Sequence, residues 1–462
     1  NPEHRAEVAR LWGVDDVPAT PGKTAVEMFE AVRRGEIRAI WIACTNPAQS
    51  LPDQNRIHEA LQAAECVVLQ EAFADTETAP FADVLLPASS WGETEGTMSN
   101  SERRISRVHA AVPAPGEARA DWAIVCDFAR RLLPEKGARL FPYESAEAVF
   151  AEHRETTRGH DLDITGLSYA LLDAGPQQWP FPEGAASGQA RLYADGVYPT
   201  ENGRARFHAA AYRPVAEAID ARYPLHLNTG RLRDQWHAMS RTGRVARLFA
   251  HADTPALAMN ARDLELRRLK GGDLVRVKSR RGELIVVAEA SDSVRPGQCF
   301  LPMHWGARFM GGRGINALTL PLFDAVSKQP ELKHAAVQVA KAELPWRMAV
   351  LAVGDGTRLL DAVQPLLRAC DYAAAGLAGR ERDVLTLRLA HTQPLPDAML
   401  AALDAALGLD DPLAVMHYQD SPHGISKRVR VDGGKVTAAR LTGETAAFDW
   451  LRDVIVEGVD AV

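Results

Sequence analysis

Ala39-Ile40-Trp41-Ile42-Ala43-Cys44-Thr45-Asn46-Pro47 is an apolar run that stops abruptly on a threonine, an asparagine and a proline. A run this short, bounded by turn residues, reads as a buried β-strand. Upstream, Thr24-Ala25-Val26-Glu27 fits a helix capping box, with Met28, Phe29 and Val32 on one face and Gly35 as the stop. Downstream, a helical stretch around Arg56 to Ala64 leads into a second apolar run, Cys66 to Leu69, which ends on Gln70-Glu71. A third run, Val84 to Leu86, ends on Pro87-Ala88-Ser89-Ser90, and Asp121 starts an amphipathic helix through Val125, Phe128 and Leu132. Short buried strands alternating with helices predict an α/β body with a parallel sheet. In such a sheet ligands sit beyond the carboxyl ends of the strands, so Thr45-Asn46, Gln70-Glu71 and Ser89-Ser90 are expected to line one crevice.

Further along, the pattern changes twice. Residues 135 to 222 are less regular, with an Asn202-Gly203 turn between two candidate strands in Tyr198 to Phe207. From Leu225 short strands and turns take over, including Asp273 to Lys278, a turn at Arg281-Gly282 and a return strand Leu284 to Val287. That region predicts a small β-barrel ending near Lys341. After Pro345 come strand–helix alternations, a hairpin around Asp432-Gly433-Gly434 and a last helix near Thr445 to Val456. The expected division is therefore an α/β body over 1–222, a barrel over 223–344 and a small α+β extension over 345–462.

Composition narrows the function. Lys plus Arg is 53 and Asp plus Glu is 60 in 462 residues, a net charge of -7, which disfavours a generic electrostatic nucleic-acid binder. No run approaches the ~18 apolar residues that a membrane-spanning helix needs. The five cysteines, Cys44, Cys66, Cys126, Cys299 and Cys370, include no C-x-x-C, so this chain alone is not expected to build an iron–sulfur or zinc-ribbon site. No metalloprotease, serine-hydrolase or P-loop signature is present.

The richest stretch in polar chemistry runs from Leu227 to Gly243: Leu-Asn-Thr-Gly-Arg-Leu-Arg-Asp-Gln-Trp-His-Ala-Met-Ser-Arg-Thr-Gly. A strand opening into Thr229-Gly230-Arg231 offers backbone N–H groups, a hydroxyl and a forked guanidinium. Those are donors suited to a pyrophosphate or a polar heterocycle. His237 can donate or accept near neutral pH. A second polar loop, Gly96 to Arg104, carries the pair Arg103-Arg104, which could fix a carboxylate or a phosphate.

Five segments in order resemble one family. Ile42 to Pro47, Ala82 to Pro87, Gly96-Thr97 with Asn100 and Arg103-Arg104, Thr229-Gly230-Arg231 with Trp236-His237, and Ser327 to Glu331 with Lys333-His334 look like the motifs of molybdopterin-dinucleotide oxidoreductases. The likeness covers residues 1 to about 341 and is nearest to the assimilatory nitrate reductases. It implies that the barrel is a double-psi β-barrel and that the cofactor is molybdenum bis-molybdopterin guanine dinucleotide. Carried over by position, Asn46, Gln70, Glu71 and Asp121 look like contacts to one guanine dinucleotide arm. Thr229, Gly230, Arg231, Trp236 and His237, with Asn316 and Lys333, look like the barrel's contribution.

The resemblance also implies a reaction, the two-electron reduction of nitrate to nitrite in cytoplasmic nitrate assimilation. The electrons would come from a donor protein or reductase subunit, with neither nucleic acid nor membrane as partner. The family's molybdenum ligand and four-iron four-sulfur (4Fe-4S) cluster match no segment here. Together with Asn1 in place of a starting methionine, this leads us to expect the carboxyl-terminal part of a larger enzyme, with no catalytic or metal-ligating residue of its own. Formate dehydrogenases and periplasmic nitrate reductases share the motifs. A structural subunit that keeps the fold without the cofactor is the reading from another class.

Overall fold

In the computed structural model, which describes residues 1–460, the first apolar runs form the expected sheet. Strands β1 (Ala39–Ala43), β2 (Cys66–Glu71) and β3 (Val84–Pro87) lie in that order, and both pairs are parallel. Their register sets Ala43 beside Gln70 and Glu71 beside Pro87, so the carboxyl ends share one edge. The helix Ala25–Arg33 opens on the Thr24–Glu27 capping box, and with the helix Gln54–Ala63 it buries Phe29, Val32, Ile57 and Leu61. These pack against Ile40, Ile42, Val67 and Leu69 of the sheet.

The helix Asp121–Leu132 begins where the sequence placed it but is turned differently. Ile124, Cys126 and Ala129 are its buried residues, while Val125, Phe128 and Leu132 are exposed. A small rotation about the axis exchanges two adjacent stripes, and the edge-to-face contact of Phe128 with Trp41, centroids 4.8 Å apart, is what the outer stripe retains. A small antiparallel sheet, β4 (Gly96–Ser99), β5 (Arg104–Val108) and β6 (Gln177–Gln178), completes this part over its own core of Ile105, Phe150, Leu167 and Leu172.

The hairpin expected in Tyr198 to Phe207 does not form. The turn is there, with the Tyr198 N–H donating to the Gly203 carbonyl at 2.9 Å, but no strand flanks it. Phe207 is 98% exposed, so the segment has no apolar face to bury against a partner strand.

Six strands then close a barrel: β7 (Leu225–Gly230), β8 (Ala256–Met259), β9 (Leu274–Lys278), β10 (Glu283–Ala290), β11 (Gln298–Pro302) and β12 (His334–Lys341). The β8–β10 and β7–β11 pairs are parallel and the other four antiparallel. The extension is a six-stranded antiparallel sheet: β13 (Trp346–Val353), β14 (Tyr372–Ala378), β15 (Val384–His391), β16 (Val415–Asp420), β17 (Ile425–Asp432) and β18 (Lys435–Thr442). Gly433 and Gly434, both at positive φ, make the expected turn between β17 and β18, and the helix Phe448–Glu457 covers one face. The chain crosses Pro345 without a break in packing. One apolar cluster runs from Leu227, Leu257 and Val286 of the barrel through Met348, Leu387 and Leu403 of the extension.

Ahead of the barrel, Glu217 straps its segment across the outside. Its carboxylate accepts from Arg280 at 2.9 Å, twice from Arg281 at 2.8 and 2.7 Å, and from the Ala336 N–H at 3.0 Å. Burial pushes this carboxyl up, but Arg281, the Ala336 N–H and Arg280 outweigh it and hold it down at about 2. A carboxylate depressed in the folded state contributes stability that is present above its unfolded value and lost as pH falls through the folded one. Cleavage of residues 205–222 by a protease is therefore expected to stay slow from neutral pH to about 4.5 and to accelerate toward pH 2. Glu217→Gln should cost about 1–3 kcal/mol and give fast cleavage already at pH 7; an unchanged rate would show that the strap is not held this way.

Candidate functional site: a crevice between the sheet edge and the barrel

The carboxyl edge of the parallel sheet faces the loop that leaves β7, and the predicted residues collect on the two sides. On the sheet side the chain leaves β1 through Cys44, in the left-handed region at φ 58°. Asn46 uses both ends of its amide locally: Nδ2 donates to Glu77 at 2.6 Å, and Oδ1 accepts from the Thr78 N–H at 3.1 Å and hydroxyl at 2.7 Å. Gln70 is 1% exposed and donates through Nε2 to the Asp121 carboxylate at 2.6 Å. Its Oε1 is buried without a partner. The Cys44 thiol also reaches Asp121, at 3.4 Å. Burial, then the charges of Asp121 and Glu71, push that thiol up to about 11, so it is a neutral donor. Burial likewise raises Glu71, opposed by the N–H groups of Ala72 and Phe73 and by Arg241.

Ser89 and Ser90 serve their own loop. The Ser89 N–H donates to the Arg119 carbonyl at 2.8 Å, and Ser90 caps the short turn Trp91–Glu93. The second polar loop also turns out to be internal. Arg103 bonds the carbonyls of Trp179, Gln189 and Ala190, and Arg104 pairs with Glu102.

On the barrel side the Thr229 hydroxyl donates to the Leu332 carbonyl at 2.5 Å, which ties the end of β7 to the segment carrying Lys333. At Gly230 a Cβ would stand 2.7 Å from the Phe300 ring, so a side chain here would have to displace that ring. Arg231 then lies over the Trp236 ring, 5.2 Å from its centroid, and both are exposed. The loop bends through His237 and Met239, at φ 36° and 57°, conformations that need outside support.

That support is His304. It is fully buried, its Nε2 accepts from the Leu232 N–H at 2.8 Å, and its Nδ1 donates to the His237 carbonyl at 2.7 Å. The pair of bonds requires the neutral ring with its proton on Nδ1. Burial first, and then nearby His237, Arg231 and Lys333, lower its pKa and favour that form, outweighing the bond to the His237 carbonyl. His237 is lowered by burial and by Arg231, Arg241 and Lys333. Lys333 is exposed, with Nζ 3.8 Å from the Met303 sulfur.

Asn316 sits at the base of the crevice rather than in its mouth. Its Nδ2 donates to the carbonyls of Gln49 at 2.8 Å and Ser50 at 3.1 Å. Gln49 returns a bond to the Met303 carbonyl at 3.1 Å. Sequence reasoning missed Arg241, which acts on Glu71 and Cys44 of one wall and on His237 of the other. It also missed Gln49 and Glu77, neither of which carries a local pattern that marks it, and the bracing role of His304.

The crevice therefore opposes an acceptor wall, Glu71 and Asp121 with Gln70 buried behind them, to a donor wall, Arg231, Arg241, Lys333 and His237. A ligand carrying both a phosphate group and a heterocycle with N–H donors matches that pair of walls. Residues 1–131 match the family described as Molybdopterin oxidoreductase, and residues 225–336 match the Molydopterin dinucleotide binding domain. The chain belongs to the molybdopterin oxidoreductase family. It is 39% identical over 355 residues to a nitrate reductase of Klebsiella oxytoca, a match covering 75% of this chain and 40% of that one. It is 36% identical over 343 residues to the assimilatory nitrate reductase catalytic subunit of Bacillus subtilis strain 168, covering 73% and 47%. The chain thus spans less than half the length of these relatives. Among solved structures, acetylene hydratase from Pelobacter acetylenicus shares the fold, with a TM-score of 0.51 and 16% identity over 74% of this chain and 50% of that one.

The His304 clasp predicts a pH effect on the loop. A histidine held below its unfolded pKa contributes stability that is complete above about 6.5 and declines as pH falls below that value. Amide exchange at Leu232, corrected for intrinsic rate, should accelerate between pH 7.5 and 5.5. His304→Phe, which leaves both loop groups unpaired at a cost of about 1–3 kcal/mol, should accelerate it at pH 7.5 as well. Equal protection in the variant would exclude the clasp.

Proposed function

We propose that this crevice holds one guanine dinucleotide arm of a molybdenum bis-molybdopterin cofactor and that the whole protein is a nitrate reductase of the assimilatory type. The observation that carries the reading is the exposed Asp121 carboxylate at the sheet edge, held in place by the buried Gln70 amide at 2.6 Å. Guanine presents an N1–H and a 2-amino group side by side, and the two oxygens of one carboxylate satisfy both. Asp121, Gln70 and Glu71 would hold the base, with Asn46 fixing the loop beside them. Arg231, His237 and Lys333 would present the donors for the phosphates, on a loop set by Thr229 and Gly230 and lined by Trp236, and Asn316 would hold the two walls together.

When bound, the cofactor supplies the two electrons that, with two protons, convert nitrate to nitrite and water. This chain's residues bind and orient it. The molybdenum ligand and a 4Fe-4S cluster would lie in the remainder of the protein, consistent with the 40% and 47% of the relatives that the chain covers. The assimilatory type is supported by the Bacillus subtilis relative, an assimilatory nitrate reductase catalytic subunit; a cytoplasmic place and a separate electron-donor protein belong to the same proposal. Among the described residues no helix is long and apolar enough to cross a membrane. We also read the closed barrel, with its two parallel pairs, as the double-psi type.

Binding of guanosine diphosphate and inosine diphosphate to the cofactor-depleted full-length protein tests the base assignment. Inosine lacks the 2-amino group, so the guanine form should bind about tenfold or more tighter, and Asp121→Asn should abolish the difference. Equal affinities in the unmodified protein would contradict it.

A further inference from the structure

Outside the residues assigned to the crevice walls, one carboxylate is shared by two arginines that reach in different directions. Asp75 follows β2 on the sheet side. Its Oδ2 pairs with Arg308 Nη2 at 2.8 Å, and its Oδ1 pairs with Arg244. Both arginines belong to barrel loops, and both continue to the extension. Arg308 Nη1 pairs with Asp361 at 2.6 Å, and Arg244 Nη1 donates to the Thr357 hydroxyl at 3.2 Å. Asp361 and Thr357 stand on the same helix, Gly356–Ala362. Gln364, just beyond it, donates to the Arg308 carbonyl at 2.9 Å.

The same two arginines grip the crevice walls. Arg244 Nε donates to the Ser240 carbonyl at 3.0 Å, which fixes the far end of the loop carrying His237 and Arg241. The Arg308 N–H donates to Glu77 at 3.2 Å, and Glu77 in turn holds the Asn46 amide at 2.6 Å. Gly306 leaves room for the Glu77 carboxylate, since a Cβ there would stand 2.3 Å from its Oε1. The Arg308 side chain is 11% exposed and that of Asp75 26%, so these charges are only partly screened by water.

We infer that Asp75 is a positioning residue through which the carboxyl-terminal extension sets the separation and register of the two crevice walls. Two guanidiniums converge on one carboxylate, and Asp75 is the group that offsets their repulsion where they meet, Asp361 taking the other nitrogen of Arg308. Without its charge Arg244 and Arg308 repel, and the Ser240 and Glu77 contacts lose their anchor together. The extension is then part of the binding machinery, acting through the helix Gly356–Ala362, and not an appendage.

The inference rests on the crevice being the cofactor site, so its test has two separable arms, both on the full-length protein. The first is amide exchange of residues 237–243 in Asp75→Asn, Asp75→Glu and Thr357→Val. Exchange should rise about threefold to thirtyfold in Asp75→Asn, and less in Thr357→Val, which removes one link only. Asp75→Glu should restore most of the protection. The double variant Asp75→Asn with Thr357→Val should add little to Asp75→Asn alone, because both act through Arg244. The second arm is affinity for guanosine diphosphate, which should weaken in Asp75→Asn by a factor in the same range. If the unmodified protein binds no guanosine diphosphate, the cofactor reading fails while the exchange arm still judges Asp75. Unchanged exchange in Asp75→Asn, or full additivity of the double variant, overturns the positioning role. If Asp75→Asn does not fold, unchanged exchange in Thr357→Val overturns it equally.

Discussion

The carboxamide of Asn316, donating to the carbonyls of Gln49 and Ser50, holds the barrel against the carboxyl edge of the parallel sheet. Asn316 is 6% exposed and Gln49 4%, so neither amide has water as an alternative partner. A buried polar group left unpaired costs about 1–3 kcal/mol, and this knot pairs carbonyls that the short helix Pro47–Ser50 leaves open at its carboxyl end. Separation of the walls would leave these groups without partners inside a dry joint. The approach of the two walls depends on that joint, and the Asp75 link between Arg244 and Arg308 adds to it from a second point.

Given the joint, the chemistry follows from what each element exposes at its end. Parallel strands deliver Asn46, Gln70 and Glu71 to one edge, and the first turn of the helix Asp121–Leu132 adds Asp121 beside them. The parallel pairing of β7 with β11 delivers Gly230 beside Pro302 and sends the loop from Arg231 out of the barrel toward that edge. One wall accepts, the other donates, and Arg241 acts on both. The burial of His304 is what allows a neutral ring to brace a loop rich in cations, since protonation there would place another positive charge beside Arg231 and Lys333.

Much of this was legible in the residues, for a physical reason in each case. Short apolar runs ending on Asn46 and on Gln70-Glu71 give strands and their polar ends because apolar length and breakers are local signals. The Asp121 helix start and the Gly433-Gly434 turn are local in the same way. The missed features depend on distance along the chain. His304 braces residues 67 and 72 positions away, and Asn316 bonds carbonyls more than 260 positions away. The exposed stripe of the Asp121 helix shows that a period fixes a helix but not which of two neighbouring stripes faces inward. The missing hairpin near Asn202 shows that a turn signal without an apolar face makes only a turn. The continuous core across Pro345 was invisible for the same reason: a proline marks a local break, and packing across it is decided by distant side chains.

A guanine held by Asp121, with Gln70 buried behind it, is what the crevice chemistry requires. It is tested most directly by denaturing the full-length protein, as purified, and measuring molybdenum and released guanine nucleotide in the same sample. Molybdenum should appear together with guanine nucleotide and no other base. Molybdenum with no guanine nucleotide, or with a different base, would contradict it.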